Sequence, residues 1–162
     1  MLTFEELYVA YSPDVYRFAY WLAGDSGDAE DITSDTFFRA WMNFNIIRTE
    51  TLKAYLFTIA RNIYLESSRK NRNDRHLEES HPDTQPAVEG VIENQSELDA
   101  VRKFLKTLPE VASSAFVLRI QYGLPYTEVA RILRLSETAV KVKVHRVRKK
   151  LFNDYQERNS HE

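Results

Sequence analysis

A chain of 162 residues, 43% apolar and 28% charged, has the composition of a globular protein and the length of one medium domain or two small ones. Its 22 Lys and Arg nearly balance 24 Asp and Glu, for a formal net charge of -2, so total charge points to no partner. The absence of cysteine excludes disulfides, thiolate metal sites and a cysteine nucleophile.

With 4 Gly and 5 Pro there are few breakers, and long helices are expected. No apolar run approaches the roughly 20 residues that span a bilayer, so no membrane insertion is expected. The opening MLTFEELYVAY carries acids and no basic stretch. No secretory signal is expected, and the expected setting is the cytoplasm.

Phe4, Leu7, Tyr8, Tyr11, Val15, Phe18, Ala19 and Leu22 recur at i, i+3, i+4 spacing and predict one helix with a buried stripe. Pro13 lies inside it and is expected to kink or split it. GDSG predicts a turn, with Asp25 or Ser26 capping the next helix, which is expected from Asp28 to Phe44. On a wheel of about 100° per residue, Ala29, Thr33, Thr36, Phe37, Ala40 and Phe44 share one face. Asp31, Asp35, Phe38 and Met42 share the opposite one. Acids mixed with Phe and Met on an outer face admit two explanations. Another part of the chain covers them, or they form a docking surface for a partner protein.

NIIRTET predicts a loop, with Thr49 or Thr51 as a cap. LKAYLFTIARNIYLESSRKNR predicts a third helix with Leu52, Leu56, Ile59 and Ile63 buried. Lys53, Tyr55, Phe57, Arg61, Asn62, Tyr64, Arg69, Lys70 and Arg72 lie around the rest. Rings interleaved with Arg and Asn suit single-stranded nucleic acid, because bases stack on rings while guanidinium groups hold phosphates. A solvated basic face with part-buried aromatics would carry the same pattern. From Asn73 to Gln95 the periodicity is lost around Pro82, Pro86 and Gly90, which predicts a flexible acidic linker. His76 and His81 within it lack the rigid, paired spacing of a metal site.

Beyond the linker, Leu98, Val101, Leu105 and Leu108 mark a helix that ends at Pro109. A further helix is predicted from Glu110 to Tyr122, with Gly123 as its stop. Thr127 is expected to cap a short helix, TEVARIL. Arg134 and Leu135 make a tight turn, and Ser136 caps the last helix. From Lys141 to Lys150 six Lys or Arg occur without an acid. Val140, Val144, Val147 and Leu151 form a core stripe. The opposite face centres on Val142, Arg146 and Lys149, with Lys141 and His145 on one flank and Lys143 and Lys150 on the other. A short helix, a turn and a basic helix form a helix-turn-helix candidate. Such a basic helix fits the major groove, where its cations hold phosphates or read guanine edges and Val142 reaches a thymine methyl.

These residues together resemble the small group IV, or extracytoplasmic-function, sigma factors of bacterial RNA polymerase, over nearly the whole chain. The resemblance implies an all-α fold of two small helical domains joined by a flexible linker: sigma domain two over 1–73, the linker over 74–95, and sigma domain four over 96–162. AEDITSDTFFRAW is similar to the segment that docks on the coiled coil of the polymerase β′ subunit. It puts Asp31, Asp35, Arg39 and Trp41 at that contact, beside Phe38 and Met42. LKAYLFTIARNIYLESSRKNR is similar to the segment that melts and reads the −10 element, with Arg61 and Asn62 in its core and Lys53, Tyr55 and Arg69 along it. The preceding loop, with Ile46 and Arg48, would form the pocket for a flipped base. LPEVASSAFVLRIQYGLPYTEVARILRLSETAVKVKVHRVRKKL is similar to sigma domain four. That implies recognition of the −35 element by Ser136, Lys141, Val142, His145, Arg146 and Lys149. The chain departs from the family pattern at Ser34, where Gln is frequent, and at Ser67 and Ser68, where apolar residues are usual. Arg134 stands where a turn glycine is common, and Val142 where a small polar residue is frequent.

The implied function is a promoter-specificity subunit that performs no chemistry. Its implied partners are core polymerase, through the β′ and β subunits, and promoter DNA. An anti-sigma factor is common in the family, and the free chain is expected to be a monomer. No Gly-rich phosphate loop, metal-ligand set or nucleophile constellation occurs, so no cofactor, no metal and no enzymatic activity are expected. Two rivals remain. A partner protein, rather than a −35 element, could deliver such a subunit to its targets. A conventional dimeric helix-turn-helix regulator would carry a dimerisation or ligand domain at its N-terminus.

Overall fold

Thr3 opens the first helix through a reciprocal cap. Its hydroxyl accepts from the Glu6 amide at 3.1 Å, and the Glu6 carboxylate accepts from the Thr3 amide at 3.3 Å. The computed structural model describes residues 2–47, 51–73 and 95–160. Arg48, Thr49 and residues 74–94 of the predicted linker, with His76 and His81, lie outside the described residues. The chain divides into two compact units, Met1–Ala87 and Val88–Glu162. Among the described residues the secondary structure is helical throughout, and no helix is long and apolar enough to cross a membrane.

Helix α1 spans Phe4–Ala23 and runs through Pro13 without splitting. The proline lacks the amide that would bond the Val9 carbonyl, and both residues lie on the exposed side, where water can satisfy it. Gly24 ends the helix in a left-handed conformation (φ 74), its amide donating to the Tyr20 carbonyl at 2.8 Å. Helix α2 spans Ser26–Met42, and its cap is Asp25, whose carboxylate accepts from the Gly27 and Asp28 amides. A 3₁₀ turn at Phe44–Ile46 follows, and then helix α3, Leu52–Asn73.

The core of this unit takes Leu7, Val15, Phe18 and Leu22 from α1, Ala29, Ile32, Phe37 and Ala40 from α2, and Leu52, Leu56, Ala60 and Ile63 from α3. Thr33 and Thr36 are buried with them. Their hydroxyls donate to the Ala29 and Ile32 carbonyls one turn back, at 2.7 and 2.6 Å, so no polar group is left unsatisfied there. Two residues of α3 depart from the one-stripe expectation. Phe57 is fully buried, with its ring centroid 4.9 Å from that of Phe18, and Arg61 is only 6% exposed. Helix α3 buries Ala54, Phe57, Ala60 and Arg61 as well as Leu52, Leu56 and Ile63, so its buried arc is wider than one stripe. Ile59, expected in the stripe, is half-buried.

The second unit holds α4 (Gln95–Lys106), α5 (Glu110–Phe116), a π-helical segment (Val117–Gln121), α6 (Tyr126–Leu133) and α7 (Glu137–Asn159). The single helix predicted after Pro109 therefore changes pitch. The Tyr122 amide donates to the Val117 carbonyl, five residues back, at 3.3 Å. Gly123 (φ 65) then turns the chain, and the Leu124 amide closes the end on the Leu118 carbonyl at 3.2 Å. Helix α6 starts one residue before the predicted cap. Pro125 occupies the cap position, and Thr127 lies within the first turn. Leu105, Leu118, Val129, Ile132, Val140, Val144 and Val147 make the core, whereas Leu98, expected in it, is exposed.

Arg134 closes α6 in the left-handed region, at φ 57 and ψ 44. It is the only non-glycine residue with positive φ among the described residues. A side chain there costs about 1 kcal/mol, and the extra backbone freedom of glycine in the unfolded chain offsets part of any relief. Arg134→Gly is expected to raise the stability of this unit by roughly 0.5 kcal/mol, read as a higher midpoint in thermal unfolding.

Candidate functional site

The outer strip of α2 is open. Asp31, Asp35, Phe38 and Met42 stand at i, i+4, i+7 and i+11, within about 60° of one another on a helix of 3.6 residues per turn. All four are exposed, Phe38 at 62% and Met42 at 68%. Nothing among the described residues covers them. Trp41 flanks the strip and is 58% exposed, although one edge packs on Phe4 with centroids 5.0 Å apart. Phe4 also meets Phe37 and Phe44 edge to face, so the aromatic cluster that anchors the end of α2 continues into the open strip. Arg39 flanks the other side and reaches Glu66 of α3 at 3.4 Å. Both partners are largely exposed, so this pair orients Arg39 more than it stabilises the fold.

The candidate residues of the first unit's second surface divide into four groups. Ile46 and Arg69 are exposed, whereas Tyr55 and Asn62 are half-buried on α3. Lys53 is tied to Asp14 of α1 at 3.2 Å. Arg61 is buried and is not part of the open face. A wheel with one buried side puts Arg61 outside the core, and the wider buried arc of α3 changes that placement.

In the second unit, Ser136 caps α7 by accepting from the Ala139 amide at 3.1 Å. Leu135, just before it, donates to the Ala130 carbonyl at 2.9 Å and fixes the turn. With the turn fixed and Val140, Val144 and Val147 buried, the opposite strip must face outward. Lys141, His145, Arg146 and Lys149 are exposed, and Val142 is 41% exposed at the centre of the strip. Among the described residues, none of these four basic side chains forms an ion pair. Such a strip attracts a polyanion, since each cation set against a phosphate releases a condensed counterion.

Sequence patterns did not single out Arg119 or Tyr126. The Arg119 guanidinium donates to the Leu124 carbonyl at 3.1 Å, and its central carbon lies 4.3 Å from the Tyr126 ring centroid. Lys141 Nζ lies 5.6 Å from the same centroid. The available signal was the aromatic residue directly after the Gly-Leu-Pro turn, at the start of the helix-turn-helix candidate.

Comparison with known proteins agrees with this arrangement. Residues 7–74 match the family Sigma-70 region 2, and residues 98–151 match Sigma-70, region 4. The chain is 28% identical over 152 residues to the ECF RNA polymerase sigma factor SigM of Bacillus subtilis, covering 93% of each chain. It is 30% identical over 141 residues to the ECF RNA polymerase sigma factor EcfG of Rhodopseudomonas palustris, covering 86% of this chain and 77% of that one. Among solved structures, the sigma factor RpoE of Bartonella quintana, determined in complex with the anti-sigma factor NepR, superposes with a TM-score of 0.76 at 29% identity, over 91% of this chain and 93% of that one. Two helical units in this order, matched along nearly their full length, place the chain in the family of extracytoplasmic-function sigma factors of RNA polymerase.

Proposed function

We propose that the chain is a promoter-specificity subunit that binds core RNA polymerase and directs transcription initiation by recognising −10 and −35 promoter elements. It works in the cytoplasm and performs no chemistry of its own. The proposal rests on one observation: the chain presents two open surfaces of different character, one on each unit. An acidic, apolar strip lies on α2, and a basic strip without acids lies on α7. The first suits a protein partner with basic and apolar side chains, here the polymerase β′ coiled coil. The second suits duplex DNA.

Divided binding accounts for the modest net charge. Polymerase supplies much of the affinity, so neither unit alone must hold DNA tightly. In the first unit, Tyr55, Asn62, Arg69 and Ile46 meet the unstacked −10 strand. In the second, Val142 and Arg146 read bases, while Lys141, His145 and Lys149 position the helix on phosphates. The solved Bartonella relative is held by an anti-sigma factor. A regulator of that kind is proposed here too, as a cover for the exposed apolar residues when polymerase is not bound.

Run-off transcription with purified core polymerase on a library of genomic fragments tests the reading. Fragments that initiate only when the chain is added support it. A chain that neither co-purifies with core nor directs initiation refutes it. On such a fragment, Arg146→Ala is expected to weaken holoenzyme binding by roughly 5- to 100-fold and to relax preference at one upstream position. Lys149→Ala is expected to weaken all sequences alike and to lower the slope of affinity against salt by about 1.

A further inference from the structure

The strip on α7 does not act alone, because one of its cations is tied to the elements before it. Three elements converge on the Tyr126 ring. The π-helical segment contributes Arg119, α6 contributes the ring as its first residue, and the early part of α7 contributes Lys141. The guanidinium carbon lies 4.3 Å and the ammonium nitrogen 5.6 Å from the ring centroid, both within cation–π range. Arg119 is fixed further by its bond to the Leu124 carbonyl. Among the described residues, neither Arg119 nor Lys141 forms an ion pair with a carboxylate. Two positive charges are therefore gathered at one ring with no anion between them.

We infer that Tyr126 is a positioning residue for DNA binding, its ring face holding Lys141 and Arg119 in the orientation in which they meet the phosphate backbone. A lysine on an open helix samples many rotamers, and fixing one on binding costs entropy. A ring that already holds the ammonium removes part of that cost before the duplex arrives. The π-helical segment belongs to the same device. Arg119 lies within it, and its guanidinium meets both the Leu124 carbonyl and the ring. The ring, rather than the phenol hydroxyl, is the working part. This inference rests on the reading of α7 as the duplex-facing helix.

The test uses holoenzyme assembled from the full chain and core polymerase, bound to a promoter fragment from the run-off library over a range of salt. Tyr126→Leu is expected to weaken binding by about 3- to 10-fold and to lower the salt slope by about 1. Tyr126→Phe is expected to restore both. In a Lys141→Ala background, Tyr126→Leu should cost less than in the parent, because only Arg119, which the Leu124 carbonyl also holds, is left for the ring to position. If the Leu variant melts earlier than the parent, Tyr126→Met offers a longer, flexible apolar side chain without the ring face and gives the same comparison. Unchanged affinity and slope in Tyr126→Leu, with Lys141→Ala still weakening, overturns the positioning role and leaves the duplex reading intact. A Phe variant as weak as the Leu variant overturns it as well, because the hydroxyl would then be the working group. If Lys141→Ala and Arg146→Ala both bind like the parent, the duplex reading of α7 fails and the inference fails with it.

Discussion

Phe38→Ala is expected to lower the affinity of the chain for core RNA polymerase by roughly 30-fold, about 2 kcal/mol, while leaving its unfolding midpoint unchanged. The contrast follows from where the ring sits. Phe38 is 62% exposed on the open strip of α2, so truncating it removes little buried area in the free chain. In a complex the same ring would lose its water and fill a pocket, where aromatic anchors carry most of the binding energy. Asp31 and Asp35 lie on the same strip, within one or two turns of the ring. Charge reversal at Asp35 is expected to act in the same direction by meeting a basic partner with like charge. Surface plasmon resonance against immobilised core polymerase, alongside thermal unfolding, separates the two quantities. A midpoint that falls as far as the affinity would assign Phe38 to folding instead of docking.

Phe57→Ala is expected to lower the stability of the first unit by about 3–5 kcal/mol. Small domains have about 5–15 kcal/mol in all, so this single change brings the unit near its limit. The ring is fully buried against Phe18, and the space it leaves cannot close without moving α1 and α3. Both tryptophans, Trp21 and Trp41, lie in the first unit. Tryptophan fluorescence in urea therefore follows this unit alone, and the midpoint should drop sharply. Tyr55→Ala, two residues away on a half-buried site, should shift it far less. Equal shifts in the two variants would contradict the packing of α3 described above.

Phe57 also marks where the sequence could be read and where it could not. The stripes of α1 and α2 were largely legible from spacing alone, with Leu7, Val15, Phe18 and Leu22 on α1 and Ala29, Thr33, Phe37 and Ala40 on α2, although Tyr8, expected in the stripe, is exposed and Ile32, not expected there, is buried. Ser136 was legible as a cap because its hydroxyl has one partner to satisfy, three residues on. Helix α3 was misread at Phe57 and Arg61 because its buried arc also takes in Ala54, Phe57, Ala60 and Arg61, and a single-stripe wheel cannot represent so wide an arc. A π-helical segment leaves no periodic trace, since its extra residue shifts the pattern within a single turn. Thr127 is a good cap type, but Pro125 sits two residues earlier with a fixed φ, and the helix starts from it. The open strip of α2 was visible as a pattern, but whether anything covered it was a question of tertiary packing. The Arg119, Tyr126 and Lys141 cluster joins residues far apart in sequence, and no local period connects them.

Helix α7 is at once the central beam of its unit and the carrier of its open basic strip. Val140, Val144 and Val147 lock it inward along the same turns on which Val142, Arg146 and Lys149 point outward. A rod held in this way cannot be re-aimed without loosening the unit that holds it. If α7 reads the promoter as proposed, related chains can drift in promoter preference by exchanging outward residues such as Val142 one at a time. An inward change such as Val144→Ala would tilt every outward side chain together. Diversity among such proteins should accordingly accumulate on one side of this helix and stay narrow on the other.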